Sequence, residues 1–344
     1  MALSLSIEEF IKFSETVPLI DVRTPSEYEQ GHIPGALNIS LFTNEERKII
    51  GTLYKQQGRQ PAILKGLEIA GPRLKEIILS ANKIDREKGF LIYCWRGGMR
   101  SASVAWLLEL YGYKIFVLKG GYKSFRKFTF EKFTNPQKII VLAGRTGAAK
   151  TLVLNKLSLR GEQIIDLEQI AGHKGSSFGS LGEKEQPSQE AFENRLAMAL
   201  YRSDNKKTIW LEDESRMVGQ KVIPAALWEQ MRKAKVCYMD VPFAERVNYL
   251  IKEYGKFSKE ELIKSTERIS KRLGNQHARR AIEAIKNDDL KTACEINLLY
   301  YDKAYDYGIN KRESQSIMKF YFDCIDPEKM ANQIIKLSFN NQTF

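Results

Sequence analysis

Two α/β domains in tandem, each built on a mainly parallel sheet, are predicted by three observations. Short apolar strands alternate with helical patterns through the first half of the chain. The alternation breaks at Asn135-Pro136, a turn signal, and restarts at Lys138. Each half then carries one glycine-rich loop between an apolar strand and a helix: CWRGGMRS at 94–101 and GRTGAAKT at 144–151.

The elements follow in order. PLIDV (18–22), GALNI (35–39), GFLIYC (89–94) and KIFVLKG (114–120) have the length and β-branched content of strands. SIEEFIKFSE, the stretch 67–83 and SASVAWLLELYG have helical periodicity. A basic and aromatic stretch, GGYKSFRKFTFEKFTNPQK (120–138), closes the first domain, placed at 1–134. In the second domain, 135–344, strands are predicted at KIIVLAG (138–144), EQIID (162–166), KTIWLED (207–213) and VCYMDVP (236–242). From about 244 to 306 the chain is helical and charged.

A length of 344 residues allows two cores, and 43% hydrophobic content excludes a disordered chain. No run reaches the roughly 20 apolar residues of a membrane helix. Glu8 and Glu9 fall where an export signal needs its apolar core, so a cytoplasmic chain is expected. The four cysteines are far apart, without a CxxC pair, which argues against a disulfide framework or a zinc site. The net charge of +12 is spread over both halves and fits equally a polyanion partner such as RNA or a basic surface without a partner.

Around Cys94, loop N–H groups and the N-terminus of the following helix converge on one spot. The helix dipole, Arg96 and Arg100 are expected to favour the thiolate, and Gly97 and Gly98 allow backbone angles closed to other residues. In the second loop, Gly144 to Thr151 nearly match G-x4-G-K-[ST] in the required strand–loop–helix context. Lys150 is placed to reach a terminal phosphate and Thr151 to hold Mg²⁺. Ala149 stands where the pattern has glycine, which sets the loop apart from ordinary ATP or GTP sites. Acidic residues end the strand at 207–213, and Asp213 or Glu212 is the metal-side candidate.

LIDVRTPSEYEQGHIPGALNI (19–39), followed by Cys94, resembles rhodanese domains. That resemblance makes Cys94 a carrier of sulfur or selenium, Asp21, Arg23 and Glu27 braces of its loop, and His32 part of a structural turn. C-x5-R from Cys94 to Arg100 is one residue longer than the usual sulfurtransferase loop and equals that of rhodanese-like phosphatases, so a phosphatase is a rival at this motif. A rhodanese-like domain fused to a P-loop NTPase-like parallel-sheet domain with a helical C-terminal part resembles the tRNA 2-selenouridine synthase family. GGYKSFR (120–126), DLEQIAGHKGSSFG (166–179), QPSQEAFEN (186–194), LEDESRMVG (211–219) and KRLGNQ (271–276) carry the likeness over essentially the whole chain.

The resemblance implies a transferase that attaches a geranyl group from geranyl diphosphate to the sulfur of wobble 2-thiouridine in tRNA. It then replaces S-geranyl with selenium from selenophosphate. Cys94, Arg96, Gly97, Gly98 and Arg100 would form the selenium site; Gly144, Thr146, Gly147, Lys150 and Thr151 would cradle the diphosphate; Thr151 and Asp213 would hold Mg²⁺. His173, Ser176, Ser177, Gln186, Gln189, Glu212, Ser215 and Arg216 would line the substrate pocket. His173 either orients the uracil, acts as a base or has no task; Arg216 either steadies the diphosphate or pairs with Glu212 or Glu214. Tyr122, Lys123, Arg126, Lys127, Lys132 and Arg268, Lys271, Arg272, Arg279, Arg280 would contact the anticodon loop of tRNA. A monomer, fed by a selenophosphate-supplying enzyme and without a membrane, completes the expectation. The rivals are an ATP-dependent kinase or ATPase fused to a sulfurtransferase, and a non-catalytic tRNA-binding protein.

Overall fold

The computed structural model describes residues 2–84 and 89–340. The chain divides into two compact units, residues 1–132 with 193–198, and residues 133–192 with 199–344.

The first unit holds a five-stranded parallel sheet of β1 (Leu3–Leu5), β2 (Leu19–Asp21), β3 (Leu37–Asn38), β4 (Phe90–Tyr93) and β5 (Ile115–Leu118), in the order β1-β5-β4-β2-β3. β1 has no counterpart among the predicted strands: LSL is only three residues long and sits at the sheet edge beside β5. The central β4 is buried throughout, as a strand covered on both faces must be. Ile20, Ile92, Phe90, Val104, Leu108 and Ile77 pack into one core. Capping boxes at Ser6/Glu9, Thr24/Glu27 and Thr43/Glu46 start three of the helices. The basic and aromatic stretch is one helix, Gly121–Thr134.

The second unit repeats the architecture with β6 (Ile139–Gly144), β7 (Gln163–Ile165), β8 (Ile209–Glu212), a hairpin of β9 (Met217–Val218) and β10 (Lys221–Val222), β11 (Lys235–Asp240) and β12 (Ile317–Tyr321). The main sheet is parallel, in the order β12-β11-β6-β8-β7. β6 is central and fully buried, so the loop that leaves it at Gly144 emerges at the carboxyl edge of the sheet, where such sheets bind ligands. Helices Phe243–Tyr254, Lys259–Arg268, Asn275–Lys286 and Leu290–Ile309 account for the helical region. Among the described residues no helix is long and apolar enough to cross a membrane.

Candidate active site

Cys94 follows β4 and is 3% exposed at the base of its loop. Its Sγ lies 3.2 Å from Ser101 Oγ, whose single proton goes either to the sulfur or to the Gly98 carbonyl at 3.0 Å. Burial pushes the thiol up. Hydrogen bonds from the Ser101 hydroxyl and from the N–H groups of Ser101, Arg96 and Gly98 outweigh it and hold the thiol below its ordinary value. The main causes of the lowering are these hydrogen-bond donors, and no arginine side chain is among them. Arg100 is held by Glu27 through bonds of 2.6 and 3.2 Å, while Arg96 is exposed and makes no ion pair among the described residues. Gly97 has φ +65°, and a Cβ there would meet the Leu118 carbonyl at 2.7 Å, so glycine is required. Gly98 is exposed beside it.

Behind the loop, Arg23 and Asp21 are fully buried and doubly bonded, with Arg23 stacked 3.7 Å over the ring of Tyr122. The N–H groups of Tyr122 and Lys123 donate to the carbonyls of Cys94 and Trp95, so GGYKSFR is a brace for the cysteine loop. Tyr122 is fully buried and its hydroxyl accepts from Asn194, which corrects its expected place on a tRNA-binding surface. Arg126 is held by Glu193 and Asn194. Lys123 and Lys127 are exposed, and Lys132 sits 4.5 Å from the Phe128 ring centre. In the second unit Arg268, Lys271, Arg272, Arg279 and Arg280 are all exposed, with Arg268 bonded to Ser180 at 3.0 Å.

The loop after β6 turns into the helix Lys150–Ser158 through Ala149, at φ 57° and ψ 35°. Ala149 thus occupies the left-handed conformation for which glycine is the usual residue. Gly147, at φ +83°, packs where a Cβ would meet Leu250 at 3.0 Å. The N–H groups of Gly147, Ala149, Lys150 and Thr151 have no acceptor among the described residues and form a concave set of donors at a helix N-terminus. Lys150 Nζ donates to the Gly144 carbonyl at 3.1 Å. Residues 146–151 line a cavity of ≈ 530 Å³ with Glu168, Glu214, Ser215, Arg216, Arg232 and Lys311. Arg216 is exposed there and pairs with neither Glu212 nor Glu214. A second, smaller and mostly apolar cavity of ≈ 70 Å³ shares Thr146, Ser176, Leu250, Tyr254 and Tyr301 with the first.

Asp213 lines the loop cavity, but both of its oxygens are already hydrogen-bonded. Its two oxygens accept from Arg312 at 2.7 Å and from Tyr305 at 2.8 Å, and Tyr305 in turn accepts from the Gly144 N–H at 2.8 Å. Asp213 is a strut under the loop. The carboxylates near Thr151 are instead Glu168, Glu212 and Glu214, each with an oxygen within 4.8 Å of the others. Thr151 Oγ1 donates to Glu168 at 3.0 Å. Glu212 is fully buried and neither of its oxygens has a partner. Burial, then the neighbouring carboxylates, raises all three above the ordinary value, Glu214 to about 8. A set of hard oxygen donors with an orphaned buried carboxylate fits a divalent cation.

Other expected pocket residues brace loops. Gln186 donates to the carbonyls of Ala171 and Val218 and accepts from Gln220, and Gln189 pairs twice with the backbone of Val222. Ser177 is tied to Tyr301 at 2.5 Å, and Ser215 donates to the Met217 carbonyl. Ser176 lines both cavities, whereas His173 lines neither; burial lowers its pKa and its Nδ1 is without a partner. Sequence reasoning missed the helix Leu290–Ile309 as the loop's main support. Asp306 binds Arg145 twice at 2.9 Å, Asp302 binds Arg246, and Arg246 donates to the Thr146 carbonyl at 3.0 Å. The signal was present in the repeated Tyr-Asp at 301–302 and 305–306, four residues apart on one helix face.

Two family profiles match this chain. The one described as "tRNA 2-selenouridine synthase AAA domain" matches residues 137–325, and the one described as "Rhodanese-like domain" matches residues 6–128. A tRNA 2-selenouridine synthase from Shewanella denitrificans is 33% identical over 89% of this chain and 92% of its own length. The chain belongs to the tRNA 2-selenouridine synthase family. A tRNA 2-selenouridine synthase of Nitrosomonas europaea is 36% identical over 70% of this chain and 64% of its own length. One of Sulfurovum sp. (strain NBC37-1) is 34% identical over 88% and 91%. As a tRNA 2-selenouridine synthase family member, the chain has its cysteine loop inside the rhodanese-like match and its phosphate-type loop inside the other.

Proposed function

We propose that the chain converts wobble 2-thiouridine of tRNA into 2-selenouridine through an S-geranyl intermediate. The observation that carries the reading is the set of open N–H donors at 147–151 in a cavity with Lys150 and Arg216. Such a cradle suits a diphosphate that leaves with a full negative charge, and no nucleotide need be hydrolysed. The thiocarbonyl sulfur forms the S–C1 bond, the C1–O bond breaks, and diphosphate departs with the electron pair as the base loses its N3 proton. A divalent cation held by Thr151, Glu168, Glu212 and Glu214 would supply neutralisation of that charge. Selenium from selenophosphate then bonds to C2, the geranyl group leaves as a thiol, and water takes up the phosphoryl group as phosphate. The loop 94–100, sized for an oxyanion, would hold selenophosphate beside Cys94 during this displacement. Exposed Lys123, Lys127, Arg268, Lys271, Arg272, Arg279 and Arg280 hold the tRNA backbone.

Mass spectrometry of nucleosides from tRNA treated with each variant tests the assignment. Cys94→Ala is expected to accumulate S-geranylated tRNA, and Lys150→Ala to leave 2-thiouridine unchanged. Identical products from the two variants would refute separate roles. ATP hydrolysis that depends on Lys150 and ignores geranyl diphosphate would favour the ATPase reading.

A further inference from the structure

The cavity that adjoins the phosphate-type loop is walled by Leu250, Ile251, Leu262, Ile285, Leu290 and Ala293, with Thr146, Ser176, Tyr254 and Tyr301 at the side shared with the loop cavity. Three of its wall residues, Leu262, Ile285 and Ala293, belong to a buried cluster against which Phe178, Tyr254 and Leu290 pack. A ligand seated on the donors at 147–151 therefore has an apolar chamber beside its anionic head. A purine base does not suit that chamber. The one side-chain amide in its wall, Asn297, donates to Thr266 and offers only its unpartnered Oδ1, so most polar edge atoms of a base would lose their hydrogen bonds to water without replacement. A hydrocarbon tail loses nothing on entry.

We infer that this chamber holds the prenyl tail of the diphosphate substrate and that Ile285, Leu290 and Ala293 set the tail length accepted. The inference rests on the geranyl-transfer reading above and adds to it the site and the residues that select the chain. Selection follows from fit. A tail that ends short of the inner wall leaves apolar surface unfilled, and one longer than the chamber meets a packed core that yields poorly.

The test measures binding and product separately on the full chain, with inorganic pyrophosphate, dimethylallyl, geranyl and farnesyl diphosphates as probes. Calorimetry on the wild type is expected to show geranyl diphosphate binding at least about tenfold tighter than pyrophosphate, as burial of a tail requires. Ala293→Phe is expected to abolish that advantage and keep pyrophosphate binding. Leu290→Ala, which removes volume from a half-buried position, is expected to shift preference toward farnesyl diphosphate. Retained pyrophosphate binding shows that each variant is folded. Equal affinity of the wild type for pyrophosphate and geranyl diphosphate, or an unchanged tail preference in both variants, would overturn the chamber's role. Tight tail-dependent binding with no S-prenylated tRNA would support the chamber and overturn the transfer reading.

Discussion

Thr151 Oγ1 donates to Glu168 Oε2 at 3.0 Å, joining the phosphate-type loop to a carboxylate outside the G-x4-G-K-[ST] pattern. Glu168 brings with it Glu212 and Glu214, so three acids crowd one hydroxyl. In the unfolded chain they ionise near the ordinary glutamate value of 4.5, whereas in the fold Glu214 keeps its proton to about 8 and Glu168 and Glu212 are also raised. The unfolded state thus sheds protons first, and stability contributed by this cluster falls as pH rises through that window. Thermal unfolding is expected to show the fall. Mg²⁺ should raise the melting temperature at about pH 8 far more than at about pH 5, where protons hold the site. Glu212→Gln should stabilise the metal-free protein at about pH 8 and remove the Mg²⁺ response. A melting temperature indifferent to Mg²⁺ at both pH values would disprove the cation site.

Ala149 holds a left-handed backbone where the G-x4-G-K-[ST] pattern has glycine, and it does so with a Cβ. The conformation costs about 1–2 kcal/mol for a residue with a Cβ. Glycine would remove that cost but add about 0.5–1 kcal/mol of unfolded-state entropy. Ala149→Gly should therefore raise stability by up to about 1 kcal/mol, and Ala149→Val should lower it by more than that, because a β-branched side chain tolerates the region least. Urea unfolding measures both, and a less stable glycine variant would contradict the strain.

Ser101, 3.2 Å from the Cys94 thiol, is expected to tune it more than Arg100, which is held by Glu27. Ser101→Ala should raise the thiol pKa and slow alkylation of Cys94 by iodoacetamide near neutral pH. Arg100→Ala, which removes a partner of Glu27, should leave the pH profile in place. Peptide mass spectrometry separates Cys94 from the exposed Cys324. Equal shifts in the two variants would return the arginine to the role expected from sequence.

Arg246 is 2% exposed and binds Asp302 through two bonds, of 2.8 and 2.7 Å, while holding the Thr146 carbonyl. Arg246→Met should cost about 3–5 kcal/mol, at the lower end because Asp302 is partly solvated, and the cost comes mainly from a stranded carboxylate. Adding Asp302→Leu should recover most of it. Denaturant unfolding of the single and double variants decides this; an additive double loss would show that the two residues act independently, through contacts other than their pairing.

Local pattern alone placed eight of the strands' apolar cores, both glycine-rich loops and the thiol at Cys94, because strand alternation, glycine turns and a P-loop signature are properties of contiguous residues. β1, β12 and the hairpin β9–β10 escaped it: β1 and β12 lie at sheet edges, where only pairing with β5 or β11 makes them strands, and the two-residue hairpin strands pair only with each other. The same division runs through the site. Asp213 and Glu214 are adjacent in sequence and equally acidic, yet one turns to Arg312 and Tyr305 and the other to Thr151's neighbours. Partners about a hundred residues away, brought in by the helix Leu290–Ile309 and the turn that follows it, decided which carboxylate became a strut and which stayed open to a ligand, since a buried charge takes whatever counter-charge packing delivers.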